Sequence, residues 1–258
     1  MLCIGIIGNF SGHLSGAENV QEDTLPNGIF VIHCDHNETL SSGDVARYPP
    51  AGTRVDIEPE FVLRCKVSYA KDGKVSALMA TQITIGNDFT IRELEGSQKI
   101  SERKAWGEKS KGINQTWWDV LRLSPANYGN NLKLVSYVER NDIMHLATPV
   151  VDCTELKVFY CHLMAWMTDR INHQQDDGMY DAILPILKAQ GYPDELVLYT
   201  GAPNYTKWGD ENFVQKGDKV HIAAFNSDFV SEQTVKEMFT HNKSVNNDEL
   251  LSFSQLVV

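Results

Sequence analysis

Apolar and polar positions change rhythm several times along the chain, and each rhythm predicts a different element. IGII (4–7) is an unbroken apolar run and predicts a short buried strand; the turn-rich GNFSGHLSG, a Pro-Asn-Gly breaker at 26–28 and a second strand in IFVIHC (29–34) follow it. Residues 37–53, rich in Ser, Gly, Pro and Asn, read as loop or lid. VDIEPEFVLRCKVSYA (55–70) alternates apolar and polar residues, as a strand does; KDGK (71–74) supplies a hairpin turn, and VSALMATQITIGND (75–88) returns as the partner strand. Residues 90–111 are charged and helix-compatible. The clearest helix lies around LKVFYCHLMAWMTDRI (156–171), where apolar residues are too dense for an exposed helix, so its aromatic and Met stripe reads as core. Strands resume in ELVLYTGAP (195–203) and KGDKVHIAAF (216–225). Strands, a helical insert at 152–190 and strands again, without regular βα alternation, predict an α+β, mainly β fold and speak against a doubly wound sheet.

Composition narrows the function classes. A chain of 258 residues can bury one large core. Its net charge of −11 opposes nucleic-acid binding, which relies on clustered Lys and Arg, and suits a site that gathers carboxylates around a cation. Five cysteines, an odd number with no C-x-x-C pair, read as free thiols of a reducing cytoplasm. No run of about 18 apolar residues is present to span a membrane, and the opening MLCIGIIG lacks the basic region of a signal peptide.

The stretch GIIGNFSGH (5–13) imitates a phosphate-cradling glycine loop, but its glycines, Gly5, Gly8 and Gly12, do not have the dinucleotide spacing. The following HLSGAENVQEDTLPNG also contains breaks that deny it the required helix. A nicotinamide oxidoreductase is therefore the least supported reading, and His13 remains to be explained.

In IEPEF, Glu58 and Glu60 stand two apart in a strand pattern and leave the same face. Alone, such a pair reads as an exposed acidic face. Asp88, at the end of the neighbouring hairpin arm, adds a third carboxylate, and three on adjacent strands make a hard, oxygen-rich site suited to Mg²⁺ or Mn²⁺.

Together these motifs resemble those of the fumarylacetoacetate hydrolase superfamily. Asn9-Phe10-Ser11-Gly12-His13 is similar to its N-Y-x-x-H motif and Glu58-Pro59-Glu60 to its E-x-E. GNDFTIRELE (86–95) follows its G/A-N-D-x-[ST]-A-R-D-x-Q stretch at Gly86, Asn87, Asp88, Thr90 and Arg92. Lys109-Ser110, Thr200-Gly201-Ala202-Pro203 and Lys216-Gly217-Asp218-Lys219-Val220 resemble the later family motifs, in the family's order. The resemblance implies a single domain over 1–258: a segment with a lid at 1–53, metal-site strands and a helix at 54–111, the insert at 152–190 and core strands at 195–225. It implies Glu58, Glu60 and Asp88 as ligands of Mg²⁺ or Mn²⁺, Lys109 facing the substrate's carboxylate or enolate oxygen, and Arg92, Thr200 and Gly201 as substrate-binding residues. His13, with a glutamate for which Glu18 is the nearest downstream residue, would activate water from a mobile lid. As one loop residue, His13 also reads as an ordinary surface histidine. A homodimer is implied as well.

A dication chelated by a 2-oxo acid or a 1,3-dicarbonyl polarises both oxygens as a C–C bond breaks. A hydrolase or a decarboxylase acting on a small acid of the acylpyruvate or oxaloacetate type is the implied activity. The chain departs from the family around that site. Position 16 is Gly where the lid glutamate belongs, Glu93 and Glu95 replace the Asp and Gln of R-D-x-Q, and the K-S-F-D run is missing. Glu95 is either turned away from the site or part of an altered specificity. These changes favour the alternative, a non-catalytic relative that binds a metal or a small acid.

Overall fold

The computed structural model describes residues 1–13, 23–33, 39–41, 45–50, 54–120, 123–124, 131–241 and 248–258. Among them the first half of the chain forms β1 (Leu2–Ile7), β2 (Gly28–His33), β3 (Leu40–Ser41), β4 (Val45–Ala46), β5 (Val55–Asp56), β6 (Pro59–Tyr69), β7 (Val75–Asn87), β8 (Thr90–Ile91), α1 (Ile100–Lys104), β9 (Lys111–Ile113) and β10 (Trp118–Asp119). The second half forms β11 (Leu132–Arg140), β12 (Ile143–Asp152), α2 (Tyr160–His173), α3 (Ile183–Ala189), β13 (Glu195–Tyr199), α4 (Lys207–Glu211), β14 (Lys219–Asn226), α5 (Glu232–Thr240) and β15 (Leu250–Val257).

The period-two stretches become the long hairpin β6–β7, with Glu60 opposite Gly86 and Ser68 opposite Ala77. Its turn closes through the Gly73 N–H on the Ala70 carbonyl at 2.9 Å, and Gly73 takes φ +79°, which glycine adopts without strain. The hairpin sits inside a curled sheet of order β2-β1-β13-β6-β7-β9-β3, with β10 also on β7. β1 runs parallel to β13 and antiparallel to β2, and all six of its residues are buried, as its unbroken apolar run predicts. A second sheet, β12-β11-β14-β15-β4, packs its Leu132, Leu134 and Val138 into the same core, while Val135 and Tyr137 meet Val235 and Phe239 of α5 on the other face. Burial on both faces explains why β11 shows no clean alternation in the sequence.

Residues 152–190 hold a 3₁₀ turn at Cys153–Glu155 and the α-helices α2 and α3. α2 lies across β7 and buries Leu163, Met167 and Ile171, the i, i+4, i+8 stripe of a core-facing helix. The helix-compatible stretch 90–111 is mostly not helical. Only Ile100–Lys104 forms a helix, because Gly96 (φ +80°) and Gly107 (φ +126°) break the chain on either side. Residues 37–53, read as loop, contribute the short β3 and β4, which join β9 and β15. The Lys216-Gly217-Asp218 turn is anchored by Arg140, whose Nε and Nη2 donate to the Asp218 carboxylate at 2.8 and 2.6 Å. Among the described residues no helix is long and apolar enough to cross a membrane, and Cys3, Cys65, Cys153 and Cys161 are free thiols.

Candidate functional site

Pairing of β6 with β7 brings the three predicted ligands together at the open end of the hairpin. Pro59 lies opposite Asn87, so Glu58 and Asp88 flank the first rung and Glu60 sits on the next. The Asp88 N–H donates to the Glu58 carbonyl at 2.9 Å, and the Glu58 N–H donates to Asn87 Oδ1 at 3.0 Å. One carboxylate oxygen from each of Glu58, Glu60 and Asp88 lies within 4.8 Å of the others. All three side chains are buried.

Three buried carboxylates repel one another and lose their hydration, so the fold must supply positive charge. Two lysines provide it. Lys104, the last residue of α1, places Nζ against Glu58 Oε2 and 2.8 Å from Asp88 Oδ2. Lys111, the first residue of β9, reaches the other oxygen of Asp88 at 2.9 Å and donates to the Phe89 carbonyl. Both are fully buried. Burial opposes the charge on Lys104, but Asp88, Glu58 and Glu60 outweigh it and raise its pKa. For Lys111 burial wins over Asp88 and lowers the pKa to about 8.

Glu58 and Glu60 are driven in opposite directions. Burial acts against ionised Glu58, yet Lys104, His13 and Arg92 hold its carboxyl well below the usual range. Glu60 is pushed well above that range by burial and then by Asp88 and Glu58, against weaker help from Lys104 and the Gly201 N–H. The cluster therefore remains short of positive charge on the Glu60 side.

His13 belongs to the same cluster. It is buried, its Nε2 lies 3.6 Å from Glu58 Oε1, and its ring meets Tyr205 edge-on at 5.4 Å. The small residues before it serve a close approach: Asn204 Nδ2 donates to the Ser11 carbonyl at 2.8 Å, and Gly12 adopts φ +80° against that side chain. Asn9 is a buried tether, with Nδ2 on the carbonyls of Thr200 (2.7 Å) and Val158 (3.2 Å) and Oδ1 accepting from the Val158 N–H. Arg92 lies 3.8 Å from Glu58 Oε1, fixed by Asp56 and by the Tyr205 hydroxyl at 3.0 Å.

Other predicted residues are placed differently. The Gly201 N–H donates to Glu60 Oε2 at 2.6 Å and the Thr200 hydroxyl to the Phe61 carbonyl at 3.0 Å, so both are engaged with the protein itself. Lys109 lies outside the cluster: its side chain is 46% exposed and, among the described residues, the acid it pairs with is the neighbouring Glu108 at 3.9 Å. Lys111, two residues on, is the lysine that reaches the cluster, because β9 pairs with the end of β7 and Lys111 meets Asp88. Glu95 is exposed. Glu18 lies outside the described residues.

The sequence reading missed Lys104, Lys111 and Asp56. Asp56 was legible, since it continues the Glu58/Glu60 alternation by one more step. Lys104 stands four residues after the buried Ile100, an apolar position of a helix, which is the faint signal of a buried lysine.

The donor set fits a hard divalent cation. It offers three carboxylates, and among the described residues Glu58 Oε1 and both Asp88 carboxylate oxygens form no hydrogen bond of good geometry, for all their nearby ammonium groups.

Solved structures similar to this chain include 5-carboxymethyl-2-hydroxymuconate delta-isomerase from Mycobacterium smegmatis, 17% identical, with a TM-score of 0.56 over 100% of this chain and 78% of that one. Another is 2-hydroxyhepta-2,4-diene-1,7-dioate isomerase from Mycobacterium marinum, 14% identical, TM-score 0.55, covering 100% and 74%. A third is 2-keto-3-deoxy-D-arabinonate dehydratase complexed with magnesium and 2,5-dioxopentanoate, 12% identical, TM-score 0.53, covering 99% and 72%. At these identities the likeness establishes the fold, which is that of the fumarylacetoacetate hydrolase superfamily. Comparison with curated protein sequences finds no match. Residues 17–257 match the model of a family of unknown function (DUF5718), and the chain belongs to that family.

Proposed function

We propose that this protein is an enzyme that uses Mg²⁺ or Mn²⁺, held by Glu58, Glu60 and Asp88, to break a C–C bond in a small 2-oxo or 1,3-dicarbonyl acid by hydrolysis or decarboxylation. The observation that carries the reading is the buried carboxylate triad with His13 and two buried lysines around it. The bound cation would polarise both oxygens of a chelating substrate. Lys111 supplies positive charge beside the oxygen where negative charge develops, and Arg92, locked by Asp56 and Tyr205, orients the anionic end of the substrate. In hydrolysis His13 Nε2, which makes no hydrogen bond of good geometry among the described residues, takes the proton of the attacking water, and Glu58 Oε1 stabilises the resulting imidazolium. Decarboxylation does not need that pair. The reading also carries a homodimer by resemblance, which sedimentation would check.

The closure of the site favours a second reading, a non-catalytic protein that binds a metal or a small acid. Glu58, Asp88, Lys104, Lys111 and Thr200 are each 0% exposed, so a substrate needs an opening to reach them. The test is an assay of metal-stripped protein on oxaloacetate and on an acylpyruvate, with and without Mn²⁺. Metal-dependent turnover is expected, with His13→Asn lowering hydrolysis by about 10²–10⁴-fold and sparing decarboxylation. Ligand-induced stabilisation without turnover supports the non-catalytic reading, and absence of both refutes the two together.

A further inference from the structure

We propose that the Lys104 ammonium is a built-in occupant of the Glu58–Glu60–Asp88 cation position, so that a divalent ion enters the triad only by displacing it. The inference rests on the reading of the triad as a metal centre and concerns what controls its loading.

The two buried lysines meet the carboxylates in different ways. Lys111 holds Asp88 Oδ1, the oxygen away from Lys104, and its second contact is the Phe89 carbonyl. That position is compatible with a neighbouring cation. Lys104 instead bridges two of the three ligand residues, touching Glu58 Oε2 and lying 2.8 Å from Asp88 Oδ2, with the Asp88 carbonyl at 3.5 Å. An ion drawing on those two oxygens occupies the same space and repels the ammonium from it. Glu60, held by the Gly201 N–H, is the remaining ligand and the natural first contact of an entering ion.

The surroundings permit an exchange. Lys104 reaches the triad on a long unbranched stem past the Phe30 ring, 5.3 Å away, from a helix of only five residues. The segments leading into and out of that helix contain Gly96 and Gly107, and apart from their chain neighbours no atom lies within 4 Å of where a Cβ would stand on either. The segments flanking the helix thus have room to shift, whereas Lys104 itself is fully buried and leaves the triad only if its surroundings open with it. A monovalent ion would gain too little from the triad to replace a covalently tethered cation of equal charge. A dication gains more, so the device selects for charge and keeps the metal-free protein folded.

Metal-stripped wild-type, Lys104→Met and Lys104→Gln proteins, all full length, would be titrated with Mn²⁺, reading free ion by electron paramagnetic resonance and unfolding by scanning calorimetry. The expected result is a metal-free Lys104→Met that unfolds at lower temperature than wild type, binds Mn²⁺ at least tenfold more tightly and gains a larger Mn²⁺-induced rise in Tm. Lys104→Gln, which keeps length and a hydrogen-bond donor, should show the same direction, and a variant soluble only with Mn²⁺ present would agree with it. Mn²⁺ affinity unchanged or weakened in both variants, with binding intact in wild type, overturns the proposal and leaves the metal centre standing. Failure of all three proteins to bind Mn²⁺ removes the metal centre and the proposal together.

Discussion

Replacing Asp88 by Asn removes the carboxylate that two buried lysines share, leaving Lys104 with Glu58 alone and Lys111 with no carboxylate among the described residues. Asp88 faces Lys104 Nζ at 2.8 Å and Lys111 Nζ at 2.9 Å, and all three side chains are fully buried. An Asn amide of the same shape offers one oxygen, so one ammonium keeps a weak acceptor and the other confronts an NH₂. Breaking a buried pair from one side costs about 3–5 kcal/mol, most of it the penalty for the charge left behind. For a chain of this length each kcal/mol moves the midpoint by about 2–4 °C, so Asp88→Asn should lower Tm by roughly 6–20 °C. Urea denaturation read by far-UV circular dichroism should show a lower midpoint at an unchanged slope, the sign of lost stability without a change in the surface exposed. The same variant should abolish the gain that saturating Mn²⁺ gives wild type, about 2.7 kcal/mol at a hundredfold excess over Kd. A metal-free loss below about 1 kcal/mol would refute the reasoning, since a pair of that worth behaves as a solvated surface contact.

Gly86→Ala should destabilise by about 1–3 kcal/mol, the usual cost of overpacking, because a Cβ there would stand 2.5 Å from the Tyr199 ring, 2.8 Å from the Gly112 carbonyl and 2.8 Å from Val62. Since Gly86 is the register partner of Glu60, urea midpoints should fall together with Mn²⁺ affinity, and a wild-type midpoint would contradict the packing. Far from the site, burial lowers the His221 pKa to about 4, with Glu139 at 3.3 Å and Ser254 at 2.7 Å from its ring nitrogens. Between about pH 6.5 and 4 the unfolded chain takes up a proton that folded His221 refuses, so stability falls as pH falls, by about 3 kcal/mol at most. The difference between wild type and His221→Gln in urea midpoints should trace that window, and a constant difference from pH 7 to 4 would exclude the assignment.

The period-two alternation across residues 55–88 determined the β6–β7 hairpin, and with it the meeting of Glu58, Glu60 and Asp88, because strand pairing turns a local pattern directly into geometry. The continuous apolar run of β1 and the dense stripe of α2 were equally readable, since each buries its own face whatever the partner. Strands β11, β12 and β15 were not read, because for β11 at least burial on two faces erases the contrast on which alternation depends. The counter-charges were beyond any local reading. Lysines stand at 99, 104, 109 and 111, alike in composition, and motif order favoured Lys109. Tertiary structure buried Lys104 and Lys111 and left Lys109 exposed, since the choice depends on how a five-residue helix and a three-residue strand dock against the open end of the hairpin. Lys104 meets Glu58 across 46 residues of chain, and no periodicity encodes a contact of that range: the carboxylates are placed by their own strands, but the charges that make their burial possible are placed by the rest of the fold.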